Sequence, residues 1–484
     1  METRRDFLKS AAAVAAASTV QASGQQPQSA PGGRRLNLIL IVADTFRADA
    51  LDCYGDREIE TPNLDRFASS ATSFLEAYAE GLPTLPVRRA LLTGRRVIPF
   101  RMVDQASDTV RLAGWHPLFQ EDVTLAEALQ KAGYTTAYFT DVYHAMKPGK
   151  NFHRGFHCWR WVRGQENDPY VSGPAKGIDW RQFAHSTQPP PPSQRPQFFQ
   201  YLLNRRDWKT EEDWFVGRLG VEAERWLDDN IDNSPFFLYL DSFMPHEWWD
   251  PAPGYAERYF PGYKGPRLIA PPAGTGKMSP DEVRHVQALY HGSITQVDRW
   301  LGRVLGKIEK LGLLDNSVVV FTSDHGTMMG EQQEIHKAAS RLRAQVTRVP
   351  LLIRHPDRAT HGRRISGFVQ HPDIMPTLMK LIGVDVPQRC TGGDVWQKPP
   401  GRQAIVTAYG YYASVRTPEW NLIVPWDMEK VDRPKFAQLY DLRSDPRELT
   451  NVIDQHPQVA VELRQKLTAY LEEGRALTAG TFLT

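Results

Sequence analysis

The chain contains little cysteine, with three cysteines among 484 residues. Cys53, Cys158 and Cys390 lie far apart and form no Cys-x-x-Cys pair, which argues against a zinc knuckle and against a disulfide framework. Three cysteines can form at most one bridge, so one thiol would remain unpaired. Stability must therefore come from a hydrophobic core, and a chain of this length can bury a large one.

The chain also lacks an excess of charge of one sign and, in its mature part, a long apolar run. It has 58 basic and 56 acidic residues, a formal net charge of +2, and no long block of like charge. This balance does not favour a nucleic-acid partner. No segment reaches the roughly eighteen consecutive apolar residues that a transmembrane helix needs, so we expect no stable membrane insertion.

Residues 1–22 show the features of an export signal in the right order. Arg4 and Arg5 precede a short alanine-rich apolar run, and small residues suitable for cleavage follow at Val20-Gln21-Ala22. The segment resembles a twin-arginine signal peptide, and residues 23–35 have the composition of a linker. We therefore predict a bacterial protein that is periplasmic or secreted.

Patterns of buried strands alternate with helical patterns along most of the chain, which favours an α/β fold. We predict a large doubly wound, mixed or parallel sheet flanked by helices within residues 36–400. Residues 150–215 are irregular and rich in tryptophan, and we interpret them as an insertion whose aromatic side chains either pack or line a carbohydrate-like groove. The shorter apolar runs of residues 401–484 predict a small C-terminal subdomain with an antiparallel sheet.

Polar residues follow four of the predicted strands at the point where each strand ends. In open α/β sheets, ligands bind beyond the carboxyl ends of the strands. Two carboxylates and an imidazole at such an edge could hold a divalent ion, and further histidines could move protons. The residues concerned are Asp44, Asp141 with His144, His246, and Asp324 with His325.

Residues 81–95 predict a turn that becomes a helix. The two prolines should stop a preceding strand, the helix should run from Val87, and Gly94 should cap it. Thr84 would then stand just ahead of a helix N-terminus, with Arg88 one turn further on, an arrangement that favours an oxyanion. The alternative is that Thr84 is only an N-cap and Arg88 a surface residue.

Three segments together resemble the sulfatase family of the alkaline phosphatase superfamily. Each combines a short motif with a fixed position in the chain, and together they extend from about residue 36 to residue 452. They are Thr84-Leu85-Pro86-Val87-Arg88 with Leu92-Thr93-Gly94-Arg95; Phe321-Thr322-Ser323-Asp324-His325-Gly326 with Lys337; and Tyr440-Asp441-Leu442 with Asp445-Pro446 and Asn451.

The resemblance implies a metal-dependent ester hydrolase and a role for each matching residue. It implies one divalent ion, with the Thr84 oxygen facing it, and a nucleophile beside Arg88. Lys337 and His246 would surround the ester and its leaving group, and His144 would belong to an element in which Asp141 replaces the usual lysine. The implied metal ligands are Asp44, Asp324, His325 and Thr84.

The chain departs from the family pattern at the nucleophile and at the metal. Sulfatases convert a cysteine or serine to formylglycine, whereas threonine, present here as Thr84, cannot be oxidised to that aldehyde. The usual paired acids are reduced to Asp44-Thr45, and the usual Asp-Asn is Asp324-His325. The lower negative charge and the added nitrogen ligand favour Mn²⁺ or Zn²⁺ over Ca²⁺.

Three hypotheses follow for the function. The first is hydrolysis of a phosphate ester or phosphodiester through a phospho-Thr84 intermediate. The second is hydrolysis of a sulfate ester without formylglycine, which ranks lower because a threonine sulfate resists hydrolysis. The third is a catalytically degenerate member that binds a glycan. In each, the partner is a small-molecule or glycan-like anionic ester, and the pattern favours no particular oligomeric state.

Overall fold

A computed structural model describes residues 35–55, 58–101, 112–174, 177–185, 196–399, 401–431 and 435–479. The predicted export signal, and the predicted linker up to residue 34, lie outside these residues. The strands are β1 (Asn37–Ala43), β2 (Thr72–Tyr78), β3 (Gly81–Leu82), β4 (Thr135–Thr140), β5 (Cys158–Trp161), β6 (Phe236–Ser242), β7 (Ser317–Thr322), β8 (Met328–Met329), β9 (Ile335–His336), β10 (Leu351–Arg354), β11 (Arg364–Gln370), β12 (Ile405–Tyr409), β13 (Tyr412–Arg416), β14 (Trp420–Pro425) and β15 (Gln438–Asp441).

The helices alternate with the strands through most of the chain, as the hydrophobic pattern predicted. They are α1 (Pro62–Ser69), α2 (Thr84–Thr93), α3 (Leu125–Lys131), α4 (Tyr143–Met146), α5 (Pro196–Asn204), α6 (Phe215–Asp229), α7 (Pro280–Lys310), α8 (Ala344–Thr347), α9 (Ile374–Leu381) and α10 (Pro457–Ala479). None of the described helices is both long and apolar enough to cross a membrane.

The large sheet has eight strands in the order β11-β2-β10-β7-β1-β6-β4-β5. Strand β1 pairs in parallel with β6 and β7, whereas β10 runs antiparallel to both of its neighbours. The sheet is therefore mixed, and the predicted α/β class is confirmed. The centre of the sheet is parallel, so β1, β6 and β7 all end at the same edge.

Both faces of β1 are buried, which explains its unbroken apolar run. Ile39 and Ile41 pack into the core that contains side chains of α1, α6 and α7. Leu38 and Leu40 pack into the opposite core, which contains side chains of α2, α3 and α9. The result is a three-layer arrangement of helices, sheet and helices.

The small sheet has the order β15-β14-β13-β12-β3. Its four C-terminal strands are antiparallel, as predicted, and the buried side chains of α10 cover it. The prolines were expected to stop a preceding strand, and the short strand Gly81–Leu82, which pairs in parallel with β12, ends directly before Pro83. The boundary at residue 400 between the large domain and the C-terminal subdomain stays a prediction.

Most described tryptophans of the aromatic segment 150–215 pack against the core. Trp214 is buried, and Trp180 and Trp208 are partly buried against the same cluster. Trp159 differs, with 45% of its surface exposed. Packing is therefore the main role of these rings.

Candidate active site and metal centre

Three carboxylates meet at the carboxyl edge of the large sheet. Asp44 directly follows β1, Asp241 lies near the end of β6, and Asp324 lies just beyond β7. Because β6 and β7 flank β1 in parallel, their ends bring these side chains together. All three residues have no exposed surface.

Arg88 lies between the three carboxylates and is itself fully buried. Its Nη1 is 3.0 Å from Oδ2 of Asp44 and also donates to Oδ2 of Asp324. Its Nη2 and Nε donate to Asp241 at 2.8 and 3.3 Å. Although burial disfavours the charge, these carboxylates raise the pKa of Arg88 well above its usual value. The alternative of a surface arginine is therefore wrong.

His325 joins Asp44 and Asp324 to form a candidate metal centre. One ligand atom from each of the three residues lies within 4.8 Å of the other two. Nε2 of His325 is 3.6 Å from Oδ2 of Asp324 and 4.0 Å from Oδ1 of Asp44. Two carboxylates and one imidazole form a donor set that suits Mn²⁺ or Zn²⁺ and also admits Ca²⁺.

The hydrogen bonding of this group fits a divalent cation. Nδ1 of His325 donates to the carbonyl of Gly326 at 2.9 Å, so Nε2 carries the free lone pair. Nε2 of His325 is a buried atom without a hydrogen-bond partner, and Oδ2 of Asp44 has only the Arg88 ion pair at 3.0 Å. Burial lowers the pKa of His325 to about 3, which keeps the ring neutral, as a ligand must be. Burial, together with nearby Asp324, raises the pKa of Asp44.

Thr84 is the first residue of α2, which begins three residues earlier than predicted. Pro83 occupies the N-cap position and supplies no side-chain capping hydrogen bond, so Thr84 is not the N-cap. Thr84 is 2% exposed. Residues four apart share one face of a helix, so Thr84 lies one turn before Arg88 on the side that meets the carboxylates. At the other end of α2, Gly94 caps the helix with a φ of 62°.

Lys337, His246 and Glu247 form a second polar group. Nζ of Lys337 lies 2.7 Å from Nε2 of His246 and 3.5 Å from Oε1 of Glu247. Nδ1 of His246 donates to the Glu247 carbonyl at 2.6 Å. Burial, opposed by Glu247 and reinforced by Lys337, lowers the pKa of His246 to about 4. The ring of His246 is therefore neutral and engaged at both nitrogens.

His144 lies in the same part of the molecule, with the ring of Phe243 as its link to His246. The ring centroid of Phe243 lies 6.1 Å from that of His144 and 4.1 Å from that of His246. Nε2 of His144 is 2.6 Å from Oε2 of Glu166. Asp141 accepts hydrogen bonds from Gln165 and from the Phe243 backbone, and burial raises its pKa to about 7. Asp141 thus joins the segment around Gln165 to the backbone that follows β6.

Four residues of the site were missed from the sequence. Asp241 carried a usable signal, because a charged residue inside a buried apolar strand requires a partner. Glu166 and Glu247 lie in irregular segments without a motif. His371, which donates from Nε2 to the Ser323 carbonyl at 2.8 Å, follows a strand that the pattern did not predict.

Comparisons with known proteins agree with this architecture. The family model described as Sulfatase matches residues 36–384, and the model described as N-sulphoglucosamine sulphohydrolase, C-terminal, matches residues 341–476. The chain is 24% identical to arylsulfatase K of Bos taurus over 90% of this chain and 81% of that protein. It is 24% identical to the N-acetylglucosamine-6-O-sulfatase of Bacteroides thetaiotaomicron over 87% of this chain and 83% of that protein.

The solved structures include a phosphonate monoester hydrolase of Agrobacterium radiobacter. It superposes with a TM-score of 0.71 at 22% identity, over 91% of this chain and 96% of that one. At this level of identity the likeness shows a shared fold.

Proposed function

Because the chain belongs to the sulfatase family, whose members hydrolyse ester bonds, we propose that it cleaves a phosphate ester, preferably a phosphodiester, with Thr84 as the nucleophile. The observation that carries this proposal is the position of Thr84. Thr84 is buried at the first position of α2, one turn before the arginine that binds Asp44 and Asp324. The positive end of the helix dipole favours an oxyanion there.

The chemistry of threonine supports a phosphate over a sulfate ester. A threonine side chain cannot become the formylglycine aldehyde on which sulfatases depend. None of the three cysteines stands at this helix start, and Cys390 contacts the Thr93 carbonyl at the far end of α2. Water can attack phosphorus and clear a phospho-threonine, whereas a threonine sulfate resists that step.

Asp44, Asp324 and His325 would hold one divalent ion, Mn²⁺, Zn²⁺ or Ca²⁺, with the Thr84 oxygen facing it. When bound, the ion would lower the pKa of the nucleophile and neutralise the ester oxygens. Lys337 supplies a second positive charge, because Glu247 raises its pKa although burial disfavours the ammonium. Its side chain is 8% exposed, so its charge is poorly screened by solvent.

Hydrolysis of a sulfate ester is the second candidate. Arylsulfatase K and the N-acetylglucosamine-6-O-sulfatase are sulfatases by name, and the latter acts on a sugar. A glycan-like anionic ester is therefore a reasonable substrate class for this chain. A catalytically degenerate glycan-binding protein would have no need for a buried Arg88, Lys337 and metal-type ligand set together.

We also propose that residues 1–22 direct export to the periplasm or the medium. Replacing both Arg4 and Arg5 by lysine should retain the protein in the cytoplasm of a bacterial host, as cell fractionation would reveal. Unchanged export of this variant would contradict a twin-arginine route.

The decisive comparison is turnover of bis-p-nitrophenyl phosphate and p-nitrophenyl sulfate by the metal-loaded protein and its Thr84→Ala variant. We expect cleavage of the phosphodiester and its loss in Thr84→Ala. Thr93→Ala is a matched control, because Thr93 is equally buried at the other end of α2 and its hydroxyl donates to the Arg89 carbonyl. Sulfate turnover that survives in Thr84→Ala would contradict the proposal and indicate attack by activated water.

A further inference from the structure

We propose that Tyr409 of the small C-terminal sheet binds the substrate, by donating a hydrogen bond from its hydroxyl to an ester oxygen beside Lys337. This role rests on the proposed ester hydrolysis at Thr84. It adds to the site a side chain that no motif in the sequence predicts. It also gives the small sheet a part in holding the ester.

The small sheet reaches the active site through β3. Tyr409 is the last residue of β12, and its backbone pairs in parallel with Leu82 of β3, two residues before Thr84. Neighbouring strands in a sheet lie about 4.8 Å apart, so the backbone of Tyr409 lies beside the chain that leads directly to the candidate nucleophile. A side chain at position 409 can therefore reach the site that Thr84 faces.

Hydrogen bonds to the large domain fix the position of β12. The hydroxyl of Thr407 donates to the Ala79 carbonyl. The backbone of Ala408 donates to the Glu80 carbonyl at 2.8 Å. These bonds lie within two residues of Tyr409, and they hold its backbone in one place relative to the start of α2.

The turn that follows Tyr409 approaches the segment that carries Lys337. A methyl group placed on Gly410 would lie 3.7 Å from Cβ of Ala339, which is two residues beyond Lys337. Tyr409 and Ala339 pack against the same buried cluster. On its other side, Tyr409 packs against the small cluster that contains Leu82. Tyr409 thus lies between the segment that leads to the nucleophile and the segment of Lys337.

The charged groups of the site act on the Tyr409 hydroxyl. Burial raises the pKa of Tyr409, the ammonium of Lys337 opposes this rise, and the carboxylate of Glu247 adds to it. Such effects come from charges near the titrating group, so the hydroxyl lies close to the polar group that Lys337 forms with His246 and Glu247. The raised pKa keeps the phenol neutral, and it therefore has a proton to donate.

The hydroxyl of Tyr409 is available to a ligand. Within the part of the chain that the structure describes, it makes no hydrogen bond, although its oxygen keeps accessible surface and the residue is partly exposed. Other tyrosines of the core differ: Tyr440 accepts from Arg343 at 2.9 Å, and Tyr290 donates to the Thr45 carbonyl at 2.8 Å. Buried tyrosines usually find such a partner.

A neutral donor at this position suits an oxyanion. Lys337 attracts the negative charge of an ester oxygen, and the Tyr409 hydroxyl would add a directed hydrogen bond at the same place. A hydrogen bond to an ionised acceptor is roughly twice as strong as one between neutral groups. The ligand group that Tyr409 would recognise is therefore a charged oxygen of a phosphate-type ester.

The test removes the hydroxyl alone, in the metal-loaded Tyr409→Phe variant. We expect kcat/KM for bis-p-nitrophenyl phosphate to fall about 10- to 100-fold, because one hydrogen bond to a charged oxygen is lost. Inorganic phosphate, titrated calorimetrically, should bind about 10-fold less tightly. The metal content and the urea midpoint should stay those of the wild type, since the ring and its packing remain.

Tyr412→Phe is the matched control, because Tyr412 pairs with Tyr409 in the same hairpin and packs against Phe436. It should leave both kcat/KM and the phosphate affinity unchanged. Unchanged values in Tyr409→Phe, or an equal loss in Tyr412→Phe, would overturn the inference. A wild-type enzyme that hydrolyses neither the phosphodiester nor p-nitrophenyl sulfate would overturn the proposed function itself. Phosphate titration needs no turnover, so the two failures are distinguishable.

Discussion

Arg88 binds Asp241 through two nitrogens, with Nη2 and Nε at 2.8 and 3.3 Å from its carboxylate oxygens. This pairing aims the remaining nitrogen, Nη1, at Asp44 and Asp324. Three buried carboxylates therefore share one guanidinium. With all three carboxylates ionised, two negative charges would be unbalanced in this group, which is the charge that one divalent ion would neutralise.

Removal of this arginine should destabilise the protein strongly. Arg88→Met leaves three buried carboxylates without their cation, and we expect the free energy of unfolding to fall by about 3–5 kcal/mol. Urea denaturation of the metal-free protein measures this change. The double variant Arg88→Met with Asp241→Asn should recover part of the loss, and a loss below about 1 kcal/mol would contradict the role assigned to Arg88.

Metal binding should depend on His325 and Asp324. We expect elemental analysis after dialysis to find one bound divalent ion in the wild type and much less in His325→Ala and Asp324→Asn. His355→Gln is a suitable control, because His355 follows the antiparallel strand β10 and so lies at the opposite edge of the sheet. Full metal content in both ligand variants would place the ion elsewhere.

Stability should depend on pH through Glu80. This buried carboxylate accepts hydrogen bonds from the Val97 and Ile98 backbones and from Tyr470, and burial raises its pKa from 4.5 to about 7. Between these pH values the folded state keeps a proton that the unfolded state releases. The contribution of Glu80 therefore becomes less favourable as the pH rises, by about 3 kcal/mol in total.

Glu80→Gln removes this dependence and tests it. We expect the variant to gain stability relative to the wild type as the pH rises from about 4.5 to 8, when both are unfolded in urea at each pH. Below this pH range the free energies of unfolding of the two proteins should differ by a constant amount. A difference that stays constant across the whole range would mean that Glu80 is ionised in the folded protein.

The hydrophobic pattern predicted the elements of the main sheet closely where the local signals are strong. Helix α7 begins at Pro280 because Ser279 and Glu282 form a capping box, and β7 ends one residue before the predicted limit. Strand β11 was missed because it begins with Arg364 and its exposed and buried positions are irregular. Strand β5 was missed within the irregular segment.

The sequence pattern identified the site residues that directly follow a strand. It did not identify those whose contacts join distant segments of the chain. The pattern predicted that Asp44, Asp324 and His325 lie close together, because the carboxyl ends of parallel strands lie at the same edge of a sheet. It could not reveal that Asp241 pairs with an arginine 153 positions earlier in the chain. Contacts of this kind are set by the packing of the whole fold, which the local pattern does not contain.

The most direct test of the account is mass spectrometry of the enzyme stopped with acid during turnover of bis-p-nitrophenyl phosphate. We predict that the peptide containing Thr84 carries a p-nitrophenyl phosphoryl group on the threonine, because attack releases only one of the two nitrophenols, and that the adduct and the turnover disappear together in Thr84→Ala. Steady turnover without any adduct, and with Thr84→Ala still active, would contradict threonine as the nucleophile.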